Sequence, residues 1–226
     1  MKIGVLLSGC GVYDGAEIQE AVLTLLAIEE IDAEAVCISI NKDQHHVVNH
    51  LNGEEMNESR NMLVESARIA RGNVKDINEV DPADIDALVI PGGFGSAKNF
   101  TTWAFAGPEG DILPEVKLLL VNMVNIAKPI AALCVSPVVL AKALEGSSIS
   151  LNMTIGSESE PSPYDINGFS QGLQSTGMQT EFKSVKEILV DEQNKIVTAP
   201  CYMMEANILE IRKNIRSAIE ALRDLV

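Results

Sequence analysis

The chain has 226 residues, with 32 acidic side chains against 17 basic ones and a formal net charge of −15. That charge excludes nucleic acid and anionic membrane as natural partners, because phosphate repels such a surface. No apolar run reaches the roughly 20 residues needed to span a bilayer, and 46% hydrophobic residues in a chain this long predict a single domain over residues 1–226.

Residues 3–7 form an apolar run of strand type, and the loop Ser8-Gly9-Cys10-Gly11-Val12-Tyr13-Asp14-Gly15 leads from it into a helix over residues 17–30. That helix carries Ile18, Ala21, Val22, Leu25 and Leu26 on one face, and its next line, Glu20, Leu23, Thr24 and Ala27, is also mostly apolar. A helix apolar all round is buried all round. Further strands are predicted at 35–40, 87–90 and 130–133, with helices at 58–70 and 115–127 between them. Such alternation implies an α/β fold, a mostly parallel sheet flanked by helices on both faces. Beyond Ser147 the pattern changes to a strand at 149–154, a hairpin at 188–197 and a last amphipathic helix at 205–225. The polar stretch 156–177 is either a surface excursion or a short helix, about 165–175, over the site.

Cysteines stand at positions 10, 37, 134 and 201 with no paired spacing, which predicts free thiols in a reducing compartment. With no charged-then-apolar leader before Lys2, the expected location is cytoplasmic. Cys134 closes the strand 130–133, and Ser136-Pro137 then suits the start of a helix, Ser as N-cap and Pro at the first position. This is the layout of a nucleophile elbow, and a helix start aimed at the sulfur favours thiolate.

In a parallel sheet, ligands sit outside the carboxyl ends of the strands. Pro91-Gly92-Gly93, after the strand at 87–90, therefore belongs beside Cys134. There the N–H groups of Gly92 or Gly93, with that of Val135, can hold an oxyanion, although paired glycines alone also make a plain turn. Glu20 opens the buried side of its helix and is expected to be protonated, while Glu17 is expected to face solvent or cap the helix. His46 and His50, four residues apart, would share a helix face as metal ligands do, but no acidic or cysteine partner stands at ligand spacing. No histidine follows Cys134.

The set Pro91-Gly92-Gly93, Ala131-Ala132-Leu133-Cys134 and Glu20 resembles the ThiJ/PfpI superfamily of glutamine-amidotransferase-like cysteine proteins. Within it the chain looks like the ElbB-like glyoxalase and isoprenoid-biosynthesis branch, through Ser8 to Gly15, Asn49-His50-Leu51, Arg60-Asn61, Gly92-Gly93-Phe94-Gly95 with Ala97-Lys98-Asn99, and Tyr202-Met203. The resemblance implies a flavodoxin-like sandwich, Cys134 as reactive cysteine, Glu20 as its acidic partner, Gly92 and Gly93 at the oxyanion hole, and a homodimer. It departs where many relatives place a histidine, near Gly156. The expected activity is a slow, cofactor-free and metal-free glyoxalase acting on a small dicarbonyl such as glyoxal or methylglyoxal. The alternatives are a redox-sensing or partner-binding thiol protein and, more weakly, an amidotransferase subunit.

Overall fold

A computed structural model describes residues 1–226. The chain runs β1 (Lys2–Leu6), α1 (Ile18–Glu30), β2 (Glu34–Ser39), α2 (Met62–Ile69), β3 (Lys75–Asp76), β4 (Ala87–Ile90), α3 (Trp103–Ala106), α4 (Pro114–Asn125), β5 (Ile130–Leu133) and α5 (Pro137–Leu144). Then follow β6 (Asn152–Met153), α6 (Ile166–Ser175), β7 (Gln179–Thr180), β8 (Leu189–Asp191), β9 (Ile196–Ala199) and α7 (Ile208–Asp224). Seven strands make the main sheet in the order β3-β2-β1-β4-β5-β9-β8. All its pairings are parallel except that of β8 with β9.

The expected strands and helices are present. The central strands β4, β5 and β9 are buried at every residue, as continuous apolar runs require. The chain moves one way along the sheet from β1 to β2 and the opposite way from β4 to β5. Since parallel crossovers are right-handed, α1 and α4 lie on opposite faces. Helix α7 packs against α1, where Arg212 pairs with Glu30, and α5 packs against α4. The reversal of direction leaves a crevice at the carboxyl ends of β1 and β4, the natural ligand position in an open α/β sheet.

Two expectations change, and one left open is decided. The strand predicted at 149–154 shortens to Asn152–Met153 and pairs only with β7, outside the main sheet. Residues 156–177 do contain the predicted helix, α6, capped by the Asp165 carboxylate. Helix α1 is not buried on all sides: Ile18, Val22 and Leu26, at successive i+4 positions, are exposed.

The last strand is tied to α7 by one buried amide. Asn214 Oδ1 accepts the Cys201 N–H at 3.0 Å, and its Nδ2 donates to the Glu187 carbonyl at 2.8 Å. Asn214→Ala would leave the buried Cys201 N–H and the part-buried Glu187 carbonyl unpaired. The expected loss is about 3 kcal/mol of unfolding free energy, read as a lower urea midpoint.

Candidate active site

Cys134 sits at the turn between β5 and α5 with φ of +57°, a left-handed conformation that a residue other than glycine adopts only under constraint. Its N–H continues the sheet by donating to the Ala199 carbonyl at 2.9 Å. Ser136 was expected to cap α5 with its side chain, but it makes no such bond. Its hydroxyl instead donates to the Pro91 carbonyl at 2.8 Å and lies 2.8 Å from Ser96 Oγ, so it binds the elbow to the loop after β4.

That loop comes very close. A Cβ built on Gly92 would stand 2.3 Å from both Cys134 Cβ and Glu20 Oε2, so only glycine fits there. The loop is also joined to the one after β1: the Glu17 N–H donates to the Gly92 carbonyl at 2.9 Å and the Phe94 N–H to the Val12 carbonyl at 2.8 Å. Asn99 adds a third tie. Its Nδ2 donates to the carbonyls of Ser8 and Asp14, both at 2.8 Å, and its Oδ1 accepts the His45 N–H at 2.9 Å.

Glu20 is wholly buried and meets Cys134 as expected. Its Oε2 accepts the Gly92 N–H and its Oε1 the Tyr202 N–H, each at 3.0 Å. Two N–H donors favour the carboxylate, but burial and the nearby Glu17 charge outweigh them and push the Glu20 pKa up to about 8. Glu20 is therefore neutral at pH 7.

Two expectations about the site are corrected. The Gly92 N–H is engaged by Glu20, so it is not an oxyanion donor; the N–H groups of Gly93, which faces the Cys134 sulfur, and of Val135 are left without a hydrogen-bond partner in the chain. Nor is Cys134 a ready thiolate. Burial, then the Glu20 charge, hold its thiol well above the ordinary range, against the smaller pull of the Gly93 N–H. The helix start is outweighed because Cys134 is only 6% exposed.

Cys134 lines a narrow pocket with Val12, Phe94, Val135, Tyr164, Tyr202 and Met203. Glu17 lines it too, a contribution that its helix-start position did not reveal. Its Oε2 accepts the Glu20 N–H at 2.6 Å, so it caps α1 as expected while half-buried at the pocket wall. Tyr164, which precedes α6, is held protonated by burial, its pKa pushed up to about 12. Its position beside Cys134 follows from the excursion 156–177 and had no local signal.

The histidine pair is not on a helix. Residues 41–61 form a loop in which His46 faces Glu55 and His50 faces Asp14, each at 3.8 Å, and no group of three metal-ligating side chains exists. Gly156 has φ of +139°, and a Cβ there would lie 2.8 Å from Ile166 Cδ1 and 2.9 Å from Met204 Sδ, which leaves no room for a histidine.

A parallel α/β sheet with a cysteine on a strained elbow, facing a buried glutamate, is the architecture of a glutamine-amidotransferase-like protein. No family model matches the chain. It is 37% identical over 226 residues to the rat mitochondrial ES1 protein homolog, covering 99% of this chain and 84% of that one. The same identity and share of this chain hold for the human mitochondrial glutamine amidotransferase-like class 1 domain-containing protein 3, of which 83% is covered. Among solved structures, an isoprenoid biosynthesis protein with an amidotransferase-like domain from Ehrlichia chaffeensis superposes with a TM-score of 0.89 at 35% identity, covering 100% of this chain and 99% of that one. Glyoxalase III from Candida albicans shares the fold alone, at a TM-score of 0.58 and 14% identity, over 98% and 97% of the two chains. The chain belongs to the ES1 family of glutamine-amidotransferase-like class 1 domain proteins.

These relatives also correct the expected location. The rat, human and zebrafish proteins are mitochondrial, which conflicts with a purely cytoplasmic assignment. Free thiols separate reducing from oxidising compartments; they do not separate one reducing compartment from another.

The Glu20 shift has a consequence for stability. A carboxyl held protonated up to about pH 8 in the folded chain, but ionising near 4.5 when unfolded, makes the folded state bind the extra proton between those values. Its contribution is full below pH 4.5 and is lost as pH rises to about 8, by on the order of a few kcal/mol. Urea unfolding of wild type should therefore weaken across that window. Glu20→Gln should show a shallower slope, and lower stability at pH 5 because its amide nitrogen must face one of the two N–H donors.

Proposed function

We propose that this protein is a cofactor-independent glyoxalase that converts a small dicarbonyl, glyoxal or methylglyoxal, to glycolate or lactate. The observation that carries the reading is the placing of the Cys134 thiol and the unpaired Val135 N–H at one narrow pocket, with the neutral Glu20 carboxyl buried directly behind the sulfur. The thiol attacks the aldehyde carbon to form a hemithioacetal. Glu20 gives its proton to the nascent alkoxide and takes the one that leaves sulfur, so no free thiolate accumulates. The Val135 N–H stabilises the oxygen while it carries charge. The enzyme's own thiol takes the part that a thiol cofactor would otherwise supply.

The pocket is narrow and walled by Phe94, Tyr164 and Tyr202, which favours a small ligand. The glyoxalase III fold relative supports the reading at the level of fold only. A redox-sensing thiol is less well supported, because a sensor needs an exposed sulfur of low pKa and Cys134 is buried with its pKa raised. The expected result is lactate from methylglyoxal without glutathione in wild type, and background rates in Cys134→Ala. Equal rates in the two proteins would overturn the proposal.

The working form proposed is a two-fold homodimer. Ile18, Val22 and Leu26 make an apolar stripe on α1 that this chain leaves exposed. Light scattering at micromolar concentration should return twice the 24.3 kDa chain mass. Val22→Glu should shift the protein to monomer.

A further inference from the structure

We infer that Glu17 is a catalytic residue of the proposed reaction: the base that removes the carbon-bound proton of the hemithioacetal and returns it to the neighbouring carbon. The inference rests on the glyoxalase reading, which leaves one task unassigned. Rearrangement needs a base for a C–H proton, and Glu20, already protonated, cannot be that base. No histidine is at hand, since all three lie in the loop 41–61, outside the pocket.

Glu17 answers on geometry. It shares the pocket wall with Cys134 and Val135. Its backbone is fixed by the bond from its N–H to the carbonyl of Gly92, the residue packed against Cys134 Cβ. Its carboxylate is oriented by the Glu20 N–H on Oε2, and Oε1 is not sealed in the interior.

The electrostatics divide the two carboxyls. Glu20 is sealed from water and stays neutral, whereas Glu17 lies at the positive end of α1 and accepts the Glu20 N–H, with the N–H groups of Gln19 and Ile18 also favouring its carboxylate. Burial still raises Glu17 above the ordinary glutamate range, which strengthens it as a base. The titratable groups around it are Glu20 on α1, Cys134, Tyr164, and Cys201 and Tyr202 after β9; no cation lines the pocket. Two acids pushed apart by their surroundings divide the acid and base roles between them.

With methylglyoxal the step balances as follows. Glu17 takes the proton from C1 of the hemithioacetal, and the C–H electron pair becomes the C1=C2 bond while the C2 carbonyl pair moves to its oxygen. Glu20 carries the proton of the C1 hydroxyl to that oxygen, and Glu17 returns its own proton to C2. C1 is thereby oxidised to a thioester and C2 reduced to an alcohol. Water then cleaves the thioester, releasing lactate and the Cys134 thiol.

The test compares wild type, Glu17→Gln and Glu17→Asp with methylglyoxal in deuterated water. Glutamine keeps a carbonyl oxygen to cap α1 but cannot take a proton; aspartate keeps a carboxylate on a shorter arm. Glu17→Gln should still add one methylglyoxal mass at Cys134, yet lose turnover by about 10²- to 10⁴-fold. It should also lose the acid limb of the kcat–pH profile, and Glu17→Asp should recover part of the rate with that limb. Wild-type lactate should carry deuterium at C2 in part, because the Glu17 carboxyl reaches solvent at Oε1 and exchanges some of its protons before it protonates C2. Turnover by Glu17→Gln at the wild-type rate with an unchanged pH profile would overturn the assignment while leaving the glyoxalase reading intact. If wild type makes no lactate, both fall together.

Discussion

The arrangement around Cys134 depends on the burial of one carboxyl. Glu20 enters the interior from the first turn of α1, and its two oxygens collect N–H groups from residues far apart in sequence, Gly92 and Tyr202. Loops after three strands thus converge on a single side chain. Burial without neutralisation would be prohibitive, since an unpaired charge away from water costs several kcal/mol. The two N–H bonds reduce that cost without cancelling it, and Glu20 keeps its proton. A neutral acid beside a thiol can exchange protons with it; a charged one would only repel a thiolate.

The same crowding accounts for Gly92 and for the strain at Cys134. Backbone at position 92 must pass between Cys134 Cβ and Glu20 Oε2, which no side chain permits. A left-handed conformation at Cys134 costs on the order of 1 kcal/mol. It persists because the surroundings determine it from both sides, through the bond to Ala199 and through Ser136 bonded to Pro91. Each of these bonds is worth only about 1 kcal/mol net. Together they hold the sulfur, the carboxyl and the Val135 N–H on one rigid frame, which proton transfer between them requires.

Membership of the ES1 family sets limits as well as expectations. Relatives at 37% identity carry an amidotransferase-like name, whereas the glyoxalase likeness is one of fold at 14%. An amidotransferase of the triad type needs a histidine beside its cysteine, and here Gly156 is closed against one by Ile166 and Met204. With that base absent, the chemistry available is set by the two glutamates of α1, and carbonyl rearrangement asks less of its nucleophile than amide cleavage does.

Much of the fold was legible in the sequence. Apolar runs of strand length alternating with amphipathic segments specify a parallel sheet because both faces of each strand must be covered. The elbow at Cys134, the glycines at 92 and 93 and the odd glutamate on an apolar helix were visible because each breaks a local rule. What local pattern could not supply was competition between distant groups. A helix start implied a thiolate, but burial by residues from four loops decided for the thiol. Paired glycines implied two equivalent N–H donors for an oxyanion, but Glu20 took that of Gly92. Glu17 read as facing solvent or capping its helix; it does cap α1, and only the return of Tyr164 and Tyr202 over α1 made it a pocket wall as well. Sequence by itself determined which elements form and which residues stand at their ends, because period and capping are local. Tertiary structure decided which of those residues carry charge and which N–H groups remain free, because desolvation and hydrogen-bond partners are set by whatever else folds against them.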